Sequence, residues 1–132
     1  MTRFSFKWLV VLAAVSLLSV GALAQTTAPS PSAQLSLGVT PTTVSAGGTV
    51  TVFGSITNTS SKSEKVTVNY DVVGPCNYTD TYSVRVTLRA GETRTASNSY
   101  AVPACAGDYT ITATATSGNA VLDIKSATFT AQ

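Results

Sequence analysis

The sequence predicts an all-β fold in which seven antiparallel strands form two packed sheets. Two observations support this prediction. Apolar residues alternate with polar ones over short segments, and turn residues interrupt the alternation roughly every 8–12 residues. In the clearest segment, Tyr109, Ile111, Ala113 and Ala115 alternate with threonines. A helix would repeat its apolar residues every three to four positions instead. A small barrel, in which a single sheet closes on itself, is the alternative architecture.

Each predicted strand carries one apolar face. Pro41 ends the first strand, because proline has no N–H to donate to a ladder. The fifth strand is more polar than the others, which predicts a position at a sheet edge. In the seventh strand the apolar parity changes between Ile124 and Ala127, which predicts a bulge near Lys125 or Ser126. The predicted strands are residues 34–40, 49–57, 65–72, 82–88, 93–102, 109–116 and 120–130.

The first 24 residues have the pattern of a cleaved export signal. Arg3 and Lys7 precede an uncharged, mostly apolar run over residues 8–20, and small residues follow at Ala22 and Ala24. This pattern predicts cleavage between Ala24 and Gln25, with an uncleaved anchor as the alternative. Residues 25–33 are rich in Pro, Ser and Thr and predict a linker. The expected organisation is a signal peptide over 1–24, a linker over 25–33 and one domain over 34–132.

Composition excludes several classes of function. The 132 residues contain no His, which removes His-dependent triads, His-ligated zinc and an imidazole switch. Of the eight Lys and Arg residues, two lie in the predicted signal, so six remain against six Asp and Glu and the mature chain is close to neutral. A neutral domain lacks the basic field that attracts phosphate backbones, so we expect no nucleic-acid binding. We also expect no stable membrane span after signal cleavage.

The acidic residues do not suggest catalysis. They are single residues scattered over turns and outward strand positions, whereas a glycosidase needs two carboxylates across a cleft. Asp80 and Asp108 could contribute to a calcium site, but no Asp-x-Asp spacing is present. The sequence therefore predicts a non-catalytic protein without catalytic residues, metal ligands or cofactors.

Cys76 and Cys105 are the two cysteines of the chain. Cys76 follows the third predicted strand and Cys105 precedes the sixth, and these strands are antiparallel neighbours in a sandwich of this order. Both residues are then expected at one edge of one sheet, where an oxidising compartment would favour a disulfide. Free thiols, a metal-binding pair and an intermolecular bridge are the alternatives.

The segment after Cys76 is a candidate binding loop. It contains Asn77, Tyr78, Asp80 and Tyr82, and a disulfide would order these side chains before they meet a ligand. The alternative is structural: Tyr82 packs into the core and Tyr78 covers the bridge. The triplets that begin at Asn58 and Asn77 also match the glycosylation acceptor pattern, which matters only in a eukaryotic secretory pathway.

Several short motifs resemble bacterial immunoglobulin-like domains. Residues 48–52 (GTVTV) and 56–60 (ITNTS) are similar to the strand and turn that open such domains. Residues 88–93 (LRAGET) and 107–113 (GDYTITA) resemble motifs of CARDB-type domains, the cell-adhesion-related domains found in bacteria. The resemblance covers most of residues 33–132 and implies an immunoglobulin-like sandwich with no catalytic residues. In this fold a tyrosine at the position of Tyr109 commonly forms a tyrosine corner.

Three functions are compatible with these features. The first is a small exported interaction or adhesion module, located in the periplasm or outside the cell, with a protein or glycan partner of unknown identity. The second is a carbohydrate- or other ligand-binding domain that uses the segment from Cys76 to Tyr82. The third is a structural subunit that assembles by strand addition, which would need an open groove in the sandwich.

Overall fold

The computed structural model describes residues 32–132, and these residues form eight β-strands and no helix. The predicted signal peptide, its cleavage site after Ala24 and most of the predicted linker lie outside the described residues. The strands are β1 (Ala33–Thr40), β2 (Thr43–Val44), β3 (Thr49–Asn58), β4 (Glu64–Gly74), β5 (Tyr78–Leu88), β6 (Thr93–Ala101), β7 (Gly107–Ser117) and β8 (Ala120–Ala131).

Two sheets form a sandwich, which confirms the predicted fold class. One sheet has the order β1-β3-β6, and the other has the order β2-β8-β7-β4-β5. All pairings in the described part of the chain are antiparallel except that of β2 with β8, which pairs Thr43 with Thr130 and Val44 with Ala131. The predicted count of seven strands is therefore wrong by one, because β2 is too short to show an alternating pattern.

The apolar face predicted for β7 lies in the core. The four predicted inward residues of β7, Tyr109, Ile111, Ala113 and Ala115, are each at most 1% exposed. Tyr109 stacks on Phe129 of the neighbouring strand β8 with 5.0 Å between ring centroids. The Tyr109 ring also lies against Gly74, where a Cβ atom would collide with it. The part of the core around Tyr109 therefore requires a glycine at the end of β4.

The start of β1 and the bulge in β8 lie at other positions than the sequence predicts. Ala33, expected in the linker, is the first residue of β1 and is fully buried opposite Asn58. The register shift in β8 falls opposite Ala115 and Thr116, which leaves Leu122 as the extra residue instead of Lys125 or Ser126. The bulge turns Leu122 toward the core, so the parity has already changed before Ile124.

Asn58 connects two turns at one end of the sandwich, which we call the Asn58 end. Its side chain is fully buried and is the buried polar side chain of the described region. Nδ2 donates to the carbonyl oxygens of Lys62, Leu88 and Arg89 at 2.8–3.1 Å, and Oδ1 accepts from Ser60. The side chain therefore satisfies carbonyl groups from the β3–β4 and β5–β6 turns together.

The two long edges of the sandwich differ. At one edge β1 lies beside β8, and the backbone N–H of Leu35 donates to the Asp123 carboxylate at 2.8 Å. At the other edge β5 and β6 belong to different sheets, and each has a neighbour in its own sheet on one side only. This second edge leaves the space between the sheets accessible. Residues 32–132 contain no helix that could cross a membrane.

Candidate functional site

A groove of about 520 Å³ opens between β5 and β6, and we call it the β5–β6 groove. Its volume lies within the usual range for ligand sites. Apolar residues of both sheets form its floor, among them Leu37, Val52 and Val68. Tyr82, Val84 and Val86 of β5 form one wall, and Ala96 and Asn98 of β6 belong to the other.

The groove exists because small side chains meet at its centre. The ladder pairs Gly54 of β3 with Ala96 of β6, and paired residues point to the same face of a sheet. The space between two packed sheets, about 10 Å across, must be filled by inward side chains. Gly54 contributes none, and a Cβ atom there would lie 2.5 Å from the Ser36 carbonyl oxygen. The empty space at the centre of the groove therefore results from the small side chains and from the backbone of β1, which leaves no room for a side chain at Gly54.

Hydrogen bonds between the sheets close the groove at the Asn58 end. Arg94 of β6 reaches across to the carbonyl oxygen of Thr87 in β5 at 3.2 Å. The same guanidinium forms a salt bridge with Glu92 at 3.0 Å. The backbone N–H of Arg89 also donates to Glu92 and, together with Arg94, lowers the pKa of that carboxyl. The charge of Arg94 is therefore already neutralised by a neighbour.

Tyrosines close the opposite end, which we call the disulfide end. The hydroxyl oxygens of Tyr78 and Tyr100 lie 2.6 Å apart, and the Tyr100 hydroxyl donates to Asp80 Oδ2 at 3.2 Å. Burial, the hydrogen bond with Tyr78 and the nearby Asp80 carboxylate all raise the pKa of Tyr100. Burial and the neighbouring Tyr82 likewise raise the pKa of Tyr70. Both phenols therefore stay neutral at physiological pH, and the phenol of Tyr100 donates a hydrogen bond to Asp80.

The structure joins Cys76 and Cys105 in a disulfide with an S–S distance of 2.10 Å and a Cα–Cα distance of 6.4 Å. It links the β4–β5 turn to the segment between β6 and β7. The Tyr109 hydroxyl donates to the carbonyl oxygen of Cys105 at 2.7 Å, which is the hydrogen bond of a tyrosine corner. The disulfide is therefore connected to the core through the buried ring of Tyr109.

The predicted loop after Cys76 is a tight turn followed directly by β5. Cys76 and Asn77 have φ angles of 61° and 57°, and the N–H of Tyr78 donates to the carbonyl of Pro75 at 3.3 Å. Two central residues with positive φ define the hairpin turn that matches the twist of the flanking strands. The expectation that the loop extends as far as Tyr82 is therefore wrong, because pairing begins at Tyr78.

The candidate residues of this segment lie in three different places. Asp80 and Tyr82 line the β5–β6 groove, whereas Asn77 is exposed in the turn. Tyr78 packs against Tyr109 at the core with 6.1 Å between ring centroids. Tyr82 does not pack into the core: 57% of it is exposed, and its ring contacts Tyr70 at 5.8 Å.

The residues considered as metal ligands do not form a cluster in the part of the chain that the structure describes. Between residues 32 and 132, no three His, Cys, Asp or Glu side chains are grouped as metal ligands. Asp108, one of the residues considered for calcium, accepts a hydrogen bond from Thr130. Of the two glycosylation triplets, the one at Asn58 is closed by the fold because that side chain is buried, whereas Asn77 is accessible.

A family model of known proteins matches this fold. The model is named CARDB, and it matches residues 30–127. The chain belongs to the CARDB family. CARDB domains are cell-adhesion-related modules of bacteria, so the resemblance seen in the sequence motifs is confirmed. No protein of curated function is significantly similar to this CARDB domain in sequence.

Solved structures share the fold at low sequence identity. The crystal structure of a Pyrococcus furiosus CARDB domain in complex with di-metal ions is 19% identical with a TM-score of 0.55, over 81% of this chain and 96% of that one. An alkylpurine DNA glycosylase of Pseudomonas fluorescens, bound to DNA, is 16% identical with a TM-score of 0.61, over 79% of this chain and 31% of that one. A β-glucosidase of Erythrobacter marinus is 13% identical with a TM-score of 0.62, over 77% of this chain and 16% of that one.

These likenesses show the fold alone. This CARDB domain spans less than a third of the length of either enzyme. Sequence reasoning did not identify Gly54, Ala96 and Asn98 as residues that shape a site. The available signal was the polar fifth strand, which indicated an edge but not the empty space behind it.

Proposed function

We propose that the chain is an exported, non-catalytic interaction module that binds its partner in the β5–β6 groove. The observation that carries the proposal is the unfilled space between Gly54 and Ala96 on one side and the apolar wall of β5 on the other. Membership of a cell-adhesion-related family supports a role in binding. The signal pattern over residues 1–24 and the Cys76–Cys105 disulfide support export to an oxidising compartment.

The groove suits binding for two physical reasons. Its floor and much of its β5 wall are apolar, so an occupant would release water from Val84 and Val86. Its ends are fixed before binding by the Arg94–Thr87 and Tyr100–Asp80 hydrogen bonds, so less conformational entropy is lost when a ligand enters.

A matched pair of substitutions on β6 tests the proposal. Ala96→Leu adds a large side chain inside the groove, whereas Ser97→Leu adds the same side chain on the outer face, opposite Phe53. The immobilised wild type and the Ser97→Leu variant are expected to retain the same protein from a bacterial extracellular or periplasmic fraction, and Ala96→Leu is expected to lose it. Equal retention by all three proteins would remove the groove from the binding site.

Export is tested by mass spectrometry of the secreted protein under non-reducing conditions. We expect an N-terminus at Gln25 and a mass two hydrogens below that of the reduced protein. A retained Met1 or two alkylatable thiols would contradict export with a formed disulfide.

A second candidate function is carbohydrate binding at the disulfide end. The exposed ring of Tyr82 beside Asp80 favours it, because sugars stack on exposed aromatic faces and hydrogen-bond to carboxylates. On a glycan array, Tyr82→Ala would then abolish retention and Tyr82→Phe would preserve it. Absence of any glycan signal from the wild type would exclude this function.

A further inference from the structure

We propose that the β5–β6 groove accepts an extended peptide segment of a partner protein, which adds a strand to the free edge of β6. The peptide would place bulky apolar side chains in the groove and a Lys or Arg beside Asp80. This inference rests on the proposed function and defines the chemistry of the partner.

The edge of β6 is suited to strand addition. β6 pairs with β3 over nine consecutive residue pairs, from Thr49–Ala101 to Thr57–Thr93, without a bulge, and its other edge has no partner strand in the described sheet. Natural edges are usually protected by charges, proline or bulges. Residues 95–99 of β6 (TASNS) contain neither a charge nor a proline. The backbone of this stretch can therefore pair with an incoming strand.

The groove accommodates the side chains that such a strand would carry. A strand added to β6 extends the three-stranded sheet, so every second side chain points between the sheets. These side chains would enter beside Ala96 and face Val84 and Val86 of the opposite sheet. Since Gly54 and Ala96 leave this space unfilled, large apolar side chains complete the core there and burying them stabilises the complex.

Charge complementarity indicates a cation at the disulfide end. Asp80 and Arg94 are the charged residues that line the groove, and Arg94 is already paired with Glu92. Asp80 has no Lys or Arg within salt-bridge distance among residues 32–132, and the described hydrogen bonds use only its Oδ2 atom. A Lys or Arg at this point would pair with Oδ1 and lie near the rings of Tyr70 and Tyr82, which also attract cations.

A second copy of this chain does not satisfy these requirements. If β6 of one molecule paired with β6 of another, the side chains brought to the middle of the groove would be Ala96 and Asn98, which are too small to fill it, while Tyr100 is already held by Tyr78 and Asp80. The same pairing would bring Arg94, whose charge Glu92 already compensates. The groove therefore favours a peptide of different sequence.

The test is a display selection with linear ten-residue peptides on the wild-type protein, with counter-selection on Ala96→Leu. We expect enriched peptides in which apolar residues alternate with polar ones and in which a Lys or Arg lies near one end. One enriched peptide is then synthesised with N-methyl groups at alternate amides. Methylation in the register that faces β6 is expected to abolish binding, and methylation in the other register to preserve it, because an edge strand pairs with every second amide.

Two further measurements locate the peptide. The exchange of β6 amide protons is expected to slow by about tenfold or more when the peptide is bound. Asp80→Asn is expected to weaken binding by about fivefold and to reduce its salt dependence. Asp71→Asn, which removes the same charge from the outer face of β4, is the control and is expected to change nothing.

Other outcomes overturn the inference. Enriched peptides without alternation, or binding that tolerates N-methylation in both registers, exclude strand addition. If no peptides are enriched but Ala96→Leu still abolishes retention of the partner, the ligand is not an extended peptide, although the groove remains the binding site. If the wild type is a dimer and Ala96→Leu makes it monomeric, the occupant of the groove is a second copy of this chain. If Ala96→Leu leaves retention of the partner unchanged, the proposed function itself is contradicted.

Discussion

Replacing Asn58 by Ala should lower the free energy of unfolding substantially. The substitution removes both Nδ2 protons, which donate to the carbonyl oxygens of Lys62, Leu88 and Arg89 inside the structure. It also removes the acceptor for the N–H and hydroxyl of Ser60. A buried polar group left without a partner costs about 1–3 kcal/mol. Because some of these groups regain water at the turn surface, we expect a loss of about 3–4 kcal/mol from a total of about 5–15 kcal/mol.

Equilibrium unfolding in urea, followed by far-ultraviolet circular dichroism, measures this loss at an unchanged m-value. Asn98→Ala is the matched control, since Asn98 is exposed and has no described side-chain hydrogen bond; it should stay within about 0.5 kcal/mol of the wild type. A loss below about 1 kcal/mol for Asn58→Ala would refute the reasoning that this side chain joins the two turns.

Asn58→Asp separates the donor role from the acceptor role. An ionised carboxylate still accepts from Ser60 but faces three carbonyl oxygens without a proton to donate. Folding should therefore raise the pKa of this carboxyl, so the protonated form is favoured in the folded state. The variant should therefore be least stable at neutral pH and should recover its stability only as the pH falls below the raised pKa, toward the ordinary carboxyl pKa of the unfolded chain. A flat pH profile relative to Asn58→Ala would contradict the donor role.

Two further predictions concern the ends and edges of the sandwich. Replacing both Cys76 and Cys105 by Ser should lower the free energy of unfolding by about 3.6 kcal/mol, because the crosslink joins residues 29 positions apart and restricts the unfolded chain. Unfolding in urea measures this loss, and a loss below about 1 kcal/mol would contradict the prediction. The hydrogen bond from the backbone N–H of Leu35 lowers the pKa of the Asp123 carboxyl from its ordinary 3.8, and the interaction with Lys125 lowers it further. Wild type should therefore exceed Asp123→Asn in stability above pH 4, and the difference should vanish as the pH falls through the lowered pKa; a difference that persists at about pH 2 would refute this assignment.

The strands could be predicted because burial imposes a period of two on the sequence. β7 is the best case, since one face must hold Tyr109 and Ile111 in the core and the other can remain threonine. The family was also evident from turn motifs, because turn residues are restricted by local backbone conformation. By contrast, the bulge at Leu122 depends on the register with β7, and pairing between strands is not encoded in one segment alone.

The candidate site was predicted only in part. Asp80 and Tyr82 were chosen for their chemistry, and both line the groove. The groove itself depends on Gly54 meeting Ala96 across two strands that are about 40 positions apart, which no local pattern indicates. Asn58 was missed as a buried residue because a polar side chain in a turn is usually exposed, and only the carbonyl groups of two separate turns make its burial favourable.

The opposite positions of the two ends of the domain have a mechanical consequence. Ala33 pairs with Asn58 at one end of the sandwich, whereas Ala131 pairs with Gly107 at the other. Tension between these two residues would slide β1 along β3 and β8 along β7, so that many ladder bonds resist shear simultaneously instead of parting one by one. A molecule pulled through these two residues would consequently yield only at high force.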